Sequence, residues 1–357
     1  SISFANDIDP MKYKMYKGHF GDSEEHFVLE DIHKLEAAAL PIVTLATASF
    51  PCKDLSLAGS REGLDGIHSS AFWGFIQVLE RLGQNRPPIV MLENVVGFLS
   101  ANKGKDFEQA LLALNQLGYN VDAFIMDAAN FVPQSRERLF VIGLLENVFP
   151  VRDPDEAIAG LQSVIRPKAL SSFILSHQQI RWNIRLLPSL PMREQCLAGI
   201  IEDLPEDSPI WWSASRAEYL LNQMSPRHRV IANKMIADDC WSYGTIFRRM
   251  RKGKSTAELR TDGIAGCLRT PAGGSAKQIV FKAGYGKYFA RLLTPRECSR
   301  LMGIGEYKIV ASFDEALFGF GDAVCVPVIS WIAENYFNTV IEEYISEVAS
   351  EPALMGD

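Results

Sequence analysis

In the first 145 or so residues, short apolar runs alternate with segments of helical spacing. No other feature of the sequence restricts its possible folds as much. Residues 42–48 and 89–95 are short and rich in β-branched side chains, as strands buried inside a sheet are. Between them Phe72, Phe75, Ile76 and Leu79 recur at helical spacing. After the second run, Phe107, Leu111, Leu114 and Leu117 predict another amphipathic helix, stopped at Gly118. Residues 121–126 and 139–145 predict two more strands. This β-α-β-α-β order predicts an α/β sheet with helices on its faces and functional loops at the carboxyl ends of its strands.

From residue 150 to 290 the rhythm is lost. Prolines and serines interrupt it, and Trp211-Trp212 stands beside a short helical stretch. Positive charge gathers at Arg248-Arg249-Met250-Arg251-Lys252-Gly253-Lys254, and residues 263–277 read as loop. Order returns at Thr294, a predicted N-cap with Pro295 at the first helical position and Glu297 three residues on. Residues 324–341 predict a helix in their second half. The predicted plan is one α/β domain built from residues 1–149 and 291–357, interrupted by a smaller domain of residues 150–290. A chain of 357 residues agrees with two domains at roughly 150 residues each.

Composition narrows the class. With 47% hydrophobic and 22% charged residues, the chain is neither disordered, collagenous nor a disulfide miniprotein. Its longest uninterrupted apolar runs are too short to span a bilayer, and the first residues lack a charged-then-apolar signal pattern, so neither a membrane nor secretion is expected. The six cysteines include no C-x-x-C pair, so no metal site is expected and a reduced, cytoplasmic setting fits. A net charge of −7 argues against non-specific nucleic-acid binding by the surface as a whole, but not against local basic patches.

Three motifs carry chemistry, two of them at strand ends, where such a sheet puts its functional loops. Pro51-Cys52-Lys53-Asp54-Leu55-Ser56 follows the first strand, where a proline-stiffened turn can present the thiol as a nucleophile. An isolated cysteine is more often simply buried. Glu93-Asn94-Val95 ends the second strand with a carboxylate, a costly placement unless it faces a cleft. Gln134-Ser135-Arg136-Glu137-Arg138 precedes a strand, and its alternation lets Gln134, Arg136 and Arg138 project to one side. The ordinary reading of such a run is a solvated strand start.

In order, P-C-x-x-x-S, E-N-V and Q-x-R-x-R resemble the DNA (cytosine-5) methyltransferase family. Residues 291–303 and 319–327 are similar to its ninth and tenth motifs, and residues 5–9 and 30–32 to its second and third. The resemblance covers the chain apart from the irregular middle. It implies a Rossmann-like S-adenosylmethionine-dependent methyltransferase sheet with an inserted target-recognition domain. It also implies double-stranded DNA as substrate, in a restriction–modification setting at the nucleoid of a bacterial cell.

The resemblance further implies that the target cytosine is flipped out of the duplex, at a cost of a few kcal/mol. Cys52 then adds to carbon 6, and carbon 5 takes the methyl of S-adenosylmethionine. Glu93 would meet ring nitrogen 3 and the exocyclic amine. Arg138 would meet the carbonyl oxygen, where a cation stabilises growing negative charge. Arg136 and Gln134 belong to the same implied catalytic group, with Pro51, Ser56 and Asn94 beside the substrate and Arg248 and Arg249 on phosphates. For the cofactor, Asp7 matches the acid on the ribose hydroxyls and Ile8 the residue packed on the adenine. Asp31 and Ile32 bond to and pack against that ring, and Asp322 and Val324 belong to the tenth motif on the methionine side.

Two departures stand out. No Gly-x-Gly turn precedes Asp7 or occurs near the C-terminus, so a missing N-terminal segment or a partner chain is expected to supply the glycine-rich cofactor loop, unless the protein is a degenerate member. Asp322 stands where the family usually has asparagine. A tRNA cytosine-5 methyltransferase and a non-catalytic DNA-binding or regulatory subunit remain alternatives. The long middle region favours DNA over tRNA, and the presence of Cys52, Glu93, Gln134 and Arg138 favours an enzyme.

Overall fold

The computed structural model describes residues 1–50, 70–251, 253–270 and 277–350. Two short strands, β1 (Ala5–Asp7) and β2 (Phe27–Leu29), pair in parallel across the helix Pro10–His19. Asp9 caps that helix by accepting from the Met11 amide, and Pro10 occupies the first turn, where its missing N–H costs nothing.

The alternation read from the sequence becomes a mixed sheet of β3 (Leu45–Ser49), β4 (Ile89–Val95), β5 (Tyr119–Asp127) and β6 (Glu137–Leu145), in the order β3-β4-β6-β5. β3 and β4 run parallel, and β6 is antiparallel to both its neighbours. The helices Ser70–Leu82 and Lys105–Gln116 bury Phe72, Phe75, Ile76 and Leu79, and Phe107, Leu111 and Leu114, which are the periodic positions. Each such side chain contributes about 1.5–3 kcal/mol on burial. Gly118, at φ +91°, ends the second helix in the left-handed region.

Two expectations shift. The first strand starts at Leu45, leaving Ile42 76% exposed, and β3 is half-exposed along its length instead of buried. Among the described residues only β4 pairs with β3, and no described strand pairs with its other edge. The C-terminal run is helical from Val326 onward, not in its second half alone, because Val326–Ile332, the π-helical turn Ala333–Phe337 and Asn338–Ser350 are continuous. Phe313–Ser346 is long and apolar enough by length and composition to cross a bilayer, yet its Phe320, Trp331, Ile332, Tyr336 and Val340 pack into the protein core.

The middle region, which the sequence shows as irregular, contains a second sheet. Strands β7 (Ser242–Arg251), β8 (Lys254–Arg260), β9 (Ile279–Gly284) and β10 (Lys287–Leu292) are antiparallel, in the order β10-β9-β7-β8. The helices Ala214–Asn222 and Pro226–Ala237 cover one face, with Leu220, Leu221 and Ala232 meeting Ile246, Ile279 and Phe281. β10 runs through the 290/291 junction drawn from the sequence. The predicted cap at Thr294 is present as a full capping box. Glu297, besides closing that box, forms a fully buried pair with Arg291 at 2.5 and 2.7 Å.

A second dry ion pair anchors the sheet edge. Arg166 donates to both oxygens of Asp122 at 2.7 and 2.9 Å, and neither side chain is exposed. Segments 163–166 and 181–183 also bond the backbone of β5, so this edge is covered. Removing one partner of such a pair leaves a charge buried and unmatched. Asp122→Ala should therefore cost about 3–5 kcal/mol in unfolding free energy, read by chemical denaturation. A change within about 1 kcal/mol would show that Arg166 finds water or another acceptor.

Candidate active site

Strand register brings two of the motifs to one end of the sheet, beside the end of β3. Ser49, at the end of β3, lies opposite Glu93 on β4, and Val95 lies opposite Arg138 on β6. There the Arg138 Nε is 2.9 Å from Glu93 Oε1, with the two side chains only 16% and 9% exposed. The carboxylate that the sequence places at a strand end is thus matched by a cation, as the cost of burying a charge requires. Arg138 Nη1 also donates to its neighbour's carbonyl, Glu137 O, at 2.8 Å.

Asn94 works beside this pair. Its Nδ2 donates to Phe50 O at 3.4 Å and its Oδ1 accepts from the Val95 amide at 2.8 Å. Phe50 itself packs on Phe72 and Phe98, with ring centroids 5.2 and 5.5 Å away. Asn94 therefore fixes the end of β3 to the end of β4, the point from which the chain runs on towards Cys52. Pro51, Cys52 and Ser56 lie outside the described residues.

Gln134 and Arg136 do not share the surroundings of Arg138. Gln134 is fully buried, donating to Leu301 O at 2.8 Å and accepting from the Leu268 amide at 3.0 Å. Arg136 donates to Leu268 O at 2.8 Å, Gly321 O at 3.1 Å and Ala323 O at 2.6 Å. Burial lowers its pKa and the charge of Arg138 adds to that. These contacts correct the expectation that the three side chains project to one side: Gln134 and Arg136 bond backbone, and Arg138 meets Glu93. The return segment at 265–268 lies along residues 133–136, with Ser135 N bonded to Ala265 O at 2.9 Å; its Leu268 amide donates to Gln134 and its Leu268 carbonyl accepts from Arg136.

At β1, Asp7 ends the strand and its Oδ1 accepts from the Asp9 amide at 2.9 Å. Ile8 is 65% exposed, Ile32 is half-buried, and Asp31 caps the turn Ile32–Lys34 through the His33 amide at 3.0 Å. A carboxylate at a strand end beside accessible aliphatic surface fits a nucleoside, with hydroxyls on the acid and the purine on the aliphatics. Asn6, for which the sequence carried no signal, joins the ends of β1 and β2 by donating to Val28 O and Glu30 O at 2.9 and 2.8 Å. Lys12, equally unmarked, stands between Asp7 and Asp322. Val324 is half-buried two residues beyond Asp322.

The basic run forms a hairpin in which Arg251 pairs with Lys254 and Gly253 takes φ +75°. Arg248 lies opposite buried Ala257 and shares its face with Ile246, whereas Arg249 shares the other face with Phe247 and Glu258. Adjacent arginines on a strand thus point oppositely, so Arg248 and Arg249 cannot act as one patch. Arg249 and Arg251 are the exposed pair, on either side of Glu258.

Comparison with known proteins places this geometry. A family model described as C-5 cytosine-specific DNA methylase matches residues 1–338. The chain is 34% identical over 345 residues to type II methyltransferase M.DsaV of Dactylococcopsis salina, covering 94% of the chain and 80% of that protein. It is 33% identical over 339 residues to M1.ScrFI of Lactococcus lactis subsp. cremoris, covering 93% and 71%. Its fold is similar to a crystal structure of a Spodoptera frugiperda DNMT2 mutant, with TM-score 0.59, 18% identity and coverage of 94% and 91%.

The described cysteines are poor nucleophiles where a shift is evident. Burial pushes the Cys325 thiol up to about 11 and raises Cys298 further, while the charge of Asp238 raises exposed Cys240. Alkylation proceeds through the thiolate. In the native protein at neutral pH, iodoacetamide should therefore leave Cys298 and Cys325 unmodified, with modification appearing only on unfolding, as read by peptide mass mapping. Labelling of either in the folded protein would contradict their burial.

Proposed function

The chain belongs to the C-5 cytosine-specific DNA methylase family, and from that premise we propose how its residues carry out cytosine-5 methylation of DNA. It is an S-adenosylmethionine-dependent DNA cytosine-5 methyltransferase. The observation that carries the residue assignment is the Glu93–Arg138 pair, 2.9 Å apart and nearly dry, at the end of the sheet where β3 leads towards Cys52.

A guanidinium beside a carboxylate offers a donor next to an acceptor. That complements the cytosine edge, whose carbonyl oxygen accepts and whose amine donates. In this reading Arg138 donates to the carbonyl oxygen and Glu93 receives the amine and supports a proton on ring nitrogen 3. The Cys52 thiolate adds at carbon 6, and the charge that builds on nitrogen 3 and the carbonyl oxygen is met by groups already in place. Carbon 5 thereby gains the nucleophilicity it lacks in the free base. Bound S-adenosylmethionine supplies the electrophilic methyl group. Loss of the carbon-5 proton then expels Cys52. Asp7, Ile8, Asp31 and Ile32 would hold the adenosine, with Asp322 and Val324 towards the methionine. Gln134, Arg136 and Asn94 act as positioning residues, because their side chains bond backbone.

Residues 150–290 serve as the target-recognition domain in this reading, with Arg249 and Arg251 on phosphates. The type II methyltransferase names of the relatives support a restriction–modification role in the bacterial cytoplasm.

A duplex carrying 5-fluorocytosine tests the assignment, because fluorine blocks the final elimination. With S-adenosylmethionine, a methylated covalent adduct on Cys52 is expected by denaturing gel and peptide mass. Cys52→Ser should abolish it, and Arg138→Ala should lower turnover on normal DNA by ~10²–10³-fold. Trapping on tRNA and not on duplex DNA, or turnover surviving Cys52→Ser, would sink the reading. If Arg249 and Arg251 meet phosphates, replacing both with alanine should lower the slope of log affinity against log salt by about 2. An unchanged slope returns them to a solvated surface.

A further inference from the structure

We propose that Lys12 is a positioning residue for the cofactor, its ammonium bridging Asp7 and Asp322 so that the Asp7 carboxylate is held in place for the ribose hydroxyls. This rests on the reading of Asp7 given above.

The geometry is a chain of charges across three separate segments. Lys12 Nζ lies 3.6 Å from Asp7 Oδ2 and 3.4 Å from Asp322 Oδ2. The other oxygen of Asp7 accepts from the Asp9 amide, and the other oxygen of Asp322 accepts from the Thr270 hydroxyl. Each carboxylate is therefore held on both oxygens, one by the ammonium and one by a local donor. Close packing fixes the frame around them. Gly319 admits Met15 of the Pro10–His19 helix, and Gly321 lies so close to the return segment that a Cβ would stand 2.6 Å from the Thr270 nitrogen. Burial by itself would lower the pKa of Lys12, but the charges of Asp7, Asp322 and Asp9 together raise it, so the bridge stays cationic at neutral pH.

The bridge also accounts for the acid at position 322. Two carboxylates flanking one ammonium are mutually repulsive without it, and Asp7 would then be turned away from the position it shares with the end of β1. Asparagine at position 322 would need no such cation. Lys12 and Asp322 thus form a matched pair, in which the lysine offsets a negative charge that the reaction does not need.

The test uses the full chain, with calorimetric affinity for S-adenosylhomocysteine without DNA and separate kcat and KM for S-adenosylmethionine on duplex DNA. Lys12→Met should weaken the affinity and raise KM about tenfold, with kcat at saturating cofactor within about twofold of wild type. Lys12→Arg should recover most of the affinity, and so should Asp322→Asn added to Lys12→Met, because it removes the uncompensated charge. Unchanged affinity in Lys12→Met would overturn the proposal. So would a loss that neither the arginine nor the Asp322→Asn background restores, the pattern of a purely structural lysine. Wild-type protein that binds no S-adenosylmethionine would overturn the functional reading and this inference with it. Wild type that binds and methylates while Lys12→Met matches it would overturn this inference alone.

Discussion

The guanidinium of Arg136 is the contact on which the arrangement of the molecule most depends. It is charged, 2% exposed and reached from three directions, with Leu268 of the returning middle segment and Gly321 and Ala323 of the C-terminal helices all turning carbonyls towards it. Burying a cation is costly unless its donors find acceptors, and both Nη groups find theirs only when the segments at 268 and 321–323 arrive together. Gln134 repeats the pattern one step earlier, tying Leu268 and Leu301 to the same lead-in to β6. The second sheet is consequently joined to the first where β6 begins, a short distance from Arg138.

Electrostatics then divides the residues that surround it. Arg136 and Arg138 are two residues apart on the same strand lead, yet one is consumed by backbone and the other faces a carboxylate. What separates their roles is the partner each meets, not the side chain itself. Glu93 and Arg138 are close enough and dry enough to hold each other's charge in a fixed orientation. Asp7, Lys12 and Asp322 use the same device in wetter surroundings, where the net gain per pair is smaller and position matters more than binding strength.

Much of the first half was legible because its signals are local. Apolar periodicity located β4, β5 and β6 and the two helices between β3 and β5, and the Thr294–Glu297 capping box was readable from residue types alone. The second sheet was not legible. β7 ends in four residues of which three are arginines, and β9 and β10 are joined by Tyr285 and Gly286, a turn made by positive φ at both residues and not by an Asn-Gly pair. Its strands acquire their apolar face only by pairing across long separations, as Ile246 does with Ile279 and Leu259.

The sequence by itself therefore determined the α/β class, the order of the elements in the first half and the family, because strand and helix periods and ordered motifs are properties of neighbours along the chain. Only the tertiary structure decided which of the motif side chains bond backbone and which meet another side chain. That decision rests on contacts between residues more than a hundred positions apart, Arg136 with Leu268 and Ala323, and Lys12 with Asp322. No local pattern encodes those contacts, because each depends on two segments being packed to within hydrogen-bonding or ion-pairing distance.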